Sequence, residues 1–165
     1  MAVDGANRKW LGTENSGAYL VSADGTEIIA QYNTDNSPIP SNYVTAITVD
    51  SETGEVYMGT KGGLAIFRSD AIEAADNFDN VYAYPNPVRP DYSGWISVVG
   101  LKENSLVKIT DVAGNLFFQG YSNGGQIVWD GCDRSGNRVK TGVYLVLAST
   151  SYGKSGVVTK IFVEK

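Results

Sequence analysis

Glu55-Val56-Tyr57-Met58-Gly59-Thr60-Lys61-Gly62-Gly63-Leu64-Ala65-Ile66-Phe67-Arg68 reads as two short strands folded about a glycine turn. Apolar and aromatic side chains fill both arms, and the glycines supply a reversal that other residues resist. The same order stands earlier in the chain. Lys9-Trp10-Leu11-Gly12-Thr13 precedes Gly17-Ala18-Tyr19-Leu20-Val21, and an apolar–Asp pair leads each copy, Val3-Asp4 and Val49-Asp50.

The recurrence, after roughly 46 residues, matches one propeller blade of four antiparallel strands. Glu27–Asn33 reads as an outer strand of the first copy, and Val44–Val49 opens the second. Pro38 and Pro40 fall in the connection between them, where a missing N–H costs nothing. Residues 1–69 therefore predict a partial β-propeller of about one and a half blades. Since a propeller closes only with about four or more blades, the chain is expected to be the C-terminal portion of a longer protein, with an exposed first strand. Asp4…Trp10-Leu11-Gly12-Thr13…Gly17 and Asp50…Tyr57-Met58-Gly59-Thr60…Gly62-Gly63-Leu64 resemble the repeat of two-component-regulator propellers.

Asp70–Asn80 breaks the strand pattern and reads as a linker with room for one helical turn, pinned by Phe78 to one neighbour. From Val81 seven short strands follow: Val81–Tyr84, Gly94–Leu101, Ser105–Asp111, Leu116–Tyr121, Gln126–Trp129, Gly142–Thr150 and Ser155–Val163. Such spacing, with Ala113-Gly114-Asn115 and Asn123-Gly124-Gly125 as tight turns, predicts a β-sandwich over residues 81–165. Alternation runs through Val107, Ile109 and Val112, and through Val143, Leu145 and Leu147. Pro85 and Pro87 predict an extended approach that blunts an edge, and Trp129 an anchor between the sheets. Asp130 is placed to accept turn amides, with Gly131 and Gly136 at positive φ. Asp133 belongs to the same turn-rich stretch. Gly142 is expected to allow close approach to a neighbouring strand, and Tyr144 to pack with its hydroxyl bonding a loop.

Tyr84-Pro85-Asn86-Pro87, Val107–Gly114, Trp129–Asn137, Thr141-Gly142-Val143-Tyr144 and the closing Lys160-Ile161-Phe162-Val163-Glu164-Lys165 occur in order. Together they resemble the immunoglobulin-like domain shared by flagellar hook-cap proteins and the C-terminal sorting domains of type IX secretion. Cys132 stands where the hook-cap pattern carries Arg. The resemblance implies a non-catalytic structural or docking module with a protein partner in the secretion machinery. It also implies an extracytoplasmic location, in the periplasm or at the outer-membrane surface, with a signal peptide upstream of Met1. Recognition would fall on Lys160, Ile161, Phe162, Val163 and Lys165, unless this is an ordinary edge strand. Two alternatives remain: a sensory ectodomain of a hybrid two-component regulator, and a carbohydrate-binding domain of a secreted protein.

The residues themselves narrow the chemistry. Net charge is −5 with scattered cations, which does not suit a phosphate backbone, and no apolar run reaches the roughly 20 residues of a membrane helix. The sequence contains no His, so neither a Ser/His/Asp triad nor a His-ligated zinc is available, and Cys132 lacks a histidine base. Asp130, Asp133 and Asn137 lack the spacing of a calcium loop. Many carboxylates precede glycine, as in Asp4-Gly5, Asp24-Gly25 and Asp130-Gly131, and are expected in turns rather than in paired catalysis. No catalytic residue, cofactor or metal is expected. Tyr32, Tyr43, Tyr92, Trp95 and Tyr121 are candidates for a sugar-stacking platform, with Trp95 and Tyr121 foremost.

Overall fold

The computed structural model describes residues 1–150 and 155–164, with Ser155 described by its backbone alone. Among them no helix occurs, and the strands form several antiparallel sheets, none closed into a barrel. The chain divides into two compact units, Met1–Glu73 and Ala74–Lys165.

In the first unit β1 (Ala2–Val3), β2 (Lys9–Gly12), β3 (Ala18–Val21) and β4 (Ile28–Tyr32) pair in chain order. β5 (Val44–Asp50), β6 (Glu55–Thr60) and β7 (Gly63–Arg68) form a second such meander. The sequence repeat is carried into the register. Trp10 lies opposite Leu20 and Leu11 opposite Tyr19, as Tyr57 lies opposite Ile66 and Met58 opposite Ala65. Ala2 opposite Trp10 is matched in turn by Thr48 opposite Tyr57. The two sheets share one core of Trp10, Ala18, Leu20, Ile39, Val44, Val56, Met58 and Ala65. Tyr32 stacks on Trp10 at 5.3 Å and tilts against Phe67 at 5.3 Å.

Asp4 and Asp50 do the same local work. Asp4 Oδ1 accepts the Ala6 and Arg8 amides, and Asp50 Oδ1 those of Glu52 and Thr53. Gly17, at φ 77°, places its Cα where a Cβ would sit 1.9 Å from the Tyr32 carbonyl oxygen, so no other residue fits this hairpin. After Arg68 the expected helical turn is absent. Ala71 is buried, its amide donating to Ser69 Oγ, and the Glu73 amide donates to the Ser51 carbonyl. A local bond to Ser69 and a tertiary bond to Ser51 fix this stretch where isolated helix propensity is too weak to act.

Turn chemistry of this kind sets an acid limit. Ser22, then Thr26, donate to the Asp24 carboxylate and lower its pKa from the ordinary 3.8 to about 2. A carboxylate depressed on folding contributes stability that is complete above the ordinary value and lost as pH falls through about 2. An NMR titration of the Asp24 carboxyl should give a midpoint near that lower value; a midpoint near 3.8 would remove this turn from the account.

In the second unit, β8 (Tyr82–Tyr84), β9 (Ile96–Val99) and β12 (Gln126–Trp129) form one sheet, in the order β12-β9-β8. β11 (Leu116–Tyr121), β10 (Leu106–Asp111), β13 (Gly142–Ser149) and β14 (Ser155–Val163) form the other, in that spatial order. Between them lie Ile96, Val98, Val107, Ile109, Trp129, Tyr144, Val146, Ile161 and Val163, all buried. Phe78 packs against this core, and the Ala75 amide donates to the Leu101 carbonyl. Three strands facing four, sharing one core, fit an immunoglobulin-like sandwich broadly. Tyr144 near the start of β13 supports that likeness: its hydroxyl donates to the Lys140 carbonyl four residues upstream at 2.8 Å.

The apolar alternation of β13 falls the other way from a core reading. Tyr144, Val146 and Ala148 point inward, while Val143, Leu145 and Leu147 line the outer face. Val112 is 76% exposed in the β10–β11 turn, outside the alternation of Val107 and Ile109. Gly142 also departs from expectation, because a Cβ there would meet only Tyr144 Cε2, at 3.9 Å. No close backbone approach requires it.

Candidate functional site

The outer face of the four-stranded sheet follows from its register. Phe162 lies opposite Val143, Lys160 opposite Leu145, and Val157 opposite Leu147. Leu145 and Leu147 in turn face Thr110 and Lys108 on β10. These pairs form an apolar stripe flanked by two ammonium groups. Val157 is 50% exposed and Phe162 39% exposed, more than a single scattered hydrophobe requires. The alternate residues Ile161 and Val163 are buried in the core. Of the terminal residues singled out in the sequence, Lys160 and Phe162 are therefore displayed and Ile161 and Val163 are not. Lys165 lies outside the described residues.

The lateral edge of β14 is closed along its last residues. The Val88 amide donates to the Phe162 carbonyl at 2.8 Å, and the Glu164 amide to the Val88 carbonyl at 2.8 Å. Beside them the Asn86 side chain imitates a strand: Oδ1 accepts the Phe162 amide at 3.0 Å and Nδ2 donates to the Lys160 carbonyl at 2.9 Å. The Tyr84–Pro85 and Asn86–Pro87 peptides are both cis. A partner meeting Lys160–Glu164 thus meets side chains, since the backbone groups on that edge are already bonded.

The loop after β12 is tied internally. Trp129 Nε1 donates to the Cys132 carbonyl at 2.9 Å, and the Cys132 amide to Asp130 Oδ1 at 2.9 Å. Asp133 Oδ1 accepts the Ser135 and Asn137 amides, the latter bond lowering its pKa most. Gly131 and Gly136 have φ of 71° and 79°. The Cys132 thiol is pushed up by burial and then by Asp130, so its thiolate is disfavoured.

The aromatic candidates do not assemble. Tyr32 belongs to the core of the first unit, and Tyr43 carries the Lys61 ammonium 3.6 Å above its ring. In the second unit Tyr92 packs on the core and donates to the Trp95 carbonyl. Trp95, 62% exposed, borders a shallow cavity of about 280 Å³ with Phe117, Phe118, Gln119, Asp130 and Arg134. Tyr121 does not line it. Its pairing opposite Leu106 places it on the outer sheet face, in line with Lys108 and Gln119.

Sequence reading missed Val143, Leu145, Leu147 and Val157 as surface residues. The available signal was that β13 is apolar at successive positions, more than a one-sided strand needs.

One solved structure aligns with 99% of the chain at 36% identity and a TM-score of 0.62. The chain is similar to PorZ. That protein is described as an essential bacterial surface component of the type IX secretion system of Porphyromonas gingivalis, and the chain spans 22% of it. PorU of the same organism aligns with 67% of this chain at 19% identity and a TM-score of 0.39. Among curated proteins, THO complex subunit 6 of Drosophila melanogaster is 27% identical over 111 residues, 64% of this chain and 31% of that protein. No family model matches. The chain thus spans less than a third of both PorZ and the Drosophila protein.

Proposed function

We propose that this chain is a non-catalytic docking module of an extracytoplasmic protein associated with type IX secretion, its partner a protein of that machinery. Its two meanders are read as consecutive propeller blades, and its sandwich as a sorting-type domain. The observation that carries the reading is the likeness to PorZ, at 36% identity over 99% of the chain. The outer face of the four-stranded sheet is the docking surface, with Phe162, Val143, Leu145 and Val157 giving apolar contact and Lys160 and Lys108 giving orientation. Because the edge is closed, recognition runs through these side chains.

Deleting β14 is a poor test, since it strips Ile161 and Val163 from the core. Lys160→Glu with Phe162→Asp instead alters displayed groups only. In the protein's own host, this pair should reduce surface delivery while a thermal melt shows the fold intact. Undiminished delivery would refute the reading.

A further inference from the structure

We infer that a groove at one end of the sandwich binds an extended segment of a protein partner, one that sets an apolar side chain beside a carboxylate. The groove, of about 790 Å³, lies between the β10–β11 turn and the loop before β13. Val112, Phe117, Lys140, Gly142, Val143 and Tyr144 line it. The chain enters the sandwich at the other end. There the Ala75 amide bonds the Leu101 carbonyl, past the last residue of β9, whereas Tyr144 meets Trp129, which lies opposite Ile96, the first. That leading segment is therefore bound away from the groove.

Its opening follows from strand lengths. β10 stops at Asp111, opposite Tyr144, so Gly142 and Val143 continue β13 with no β10 residue paired beside them. The Phe162 amide and carbonyl bond Asn86 and Val88, away from β13. In an antiparallel ladder the residue opposite such a position also turns its backbone groups away. Val143, opposite Phe162, therefore turns its amide toward the open β10 side. The result is a short free edge to which an added strand can pair. Gly142 adds a second sign. Its φ is not positive, and a Cβ there would meet only Tyr144 Cε2, at 3.9 Å, so the fold itself does not require glycine. A strand glycine without such a reason suits the close approach of another backbone.

The uncommitted groups select the occupant. At the rim, Asp111 and Asp133 accept the Asn115 and Asn137 side chains and nearby turn amides. The Arg138 guanidinium donates to the Asp130 and Tyr92 carbonyls. Lys140 is exposed and, among the described residues, makes no ion pair. What remains is one ammonium, one amide donor, and Val112 and Val143 at 76% and 40% exposed. These call for a carboxylate, a backbone carbonyl and an apolar side chain. An extended peptide supplies all three.

The test is an NMR titration of the intact chain with acetylated, amidated valine–serine octapeptides carrying a single Glu, and with a matched set carrying Lys. With the Glu set the Gly142, Val143 and Tyr144 amides should shift, and the Lys set should bind about fivefold more weakly. Lys140→Glu should invert that preference. Gly142→Val should abolish binding while a thermal melt shows the fold intact, because its side chain enters open space. Gly142→Ala is the milder replacement if the melt falls. No shift at millimolar peptide, equal affinity for the two sets, or shifts at Lys140 without the Val143 amide would each overturn the inference. The Lys160 and Phe162 amides report the outer sheet face, so shifts confined to them would overturn this inference and leave the docking reading standing.

Discussion

Trp129→Ala is expected to destabilise the sandwich unit by about 3–5 kcal/mol, as for other buried aromatic truncations. The indole is 1% exposed, tilts against the Tyr144 ring at 5.6 Å, and donates to the Cys132 carbonyl. Its removal opens a cavity between the two sheets and leaves that carbonyl seeking water. Trp129→Phe keeps most of the burial and loses the bond, so it should cost distinctly less. Chemical denaturation followed by exchange of the β9 and β13 amides would measure both. Equal effects of the two variants would show that the hydrogen bond, and not the volume, carries the anchor.

The second large effect is expected at Arg8. Its guanidinium pairs with Asp4 through Nε at 2.9 Å and with Asp70 through Nη2 at 2.7 Å, and Nη2 also donates to Ser69 Oγ. Burial disfavours its charge, but Asp70 and Asp4 outweigh that and hold its pKa above the ordinary value. The Asp4 side chain is 0% exposed, so Arg8→Met strands a carboxylate out of water. Removing one member of a buried pair costs about 3–5 kcal/mol. The Ala6, Arg8 and Trp10 donors to Asp4 remain, which places the expected value near the lower end. Adding Asp4→Asn should recover part of the loss, because the stranded charge goes with it. Additive losses in this cycle would show that the pair is not coupled.

Much of the strand layout is legible in the sequence because each strand carries its own local marks. Gly17, Gly114, Gly124 and Gly136 sit at positive φ in the hairpins and turns that separate strands, so their positions punctuate the chain. The repeat read in the sequence reappears in the register, where Trp10 and Tyr57 take equivalent positions. What the sequence could not yield is which face of a doubly apolar strand turns inward. In β13 the choice falls to Tyr144, whose hydroxyl must reach Lys140 and whose ring meets Phe117 and Trp129. Those are long-range facts, absent from any window of β13. The closure of β14 by Asn86 was equally hidden, because it joins residues 76 positions apart. Trp95 and Tyr121 illustrate the same limit: both are 62% exposed, yet one borders a cavity and the other lies on the sheet face.

The docking surface is the claim on which the functional reading stands, and the surface-delivered fraction of the Lys160→Glu, Phe162→Asp protein measures it most directly. Loss of two interface side chains worth about 1.4 kcal/mol or more together predicts at least a tenfold fall in partner engagement, with delivery reduced and the melting temperature held. Full delivery by a folded, charge-reversed protein would contradict the account.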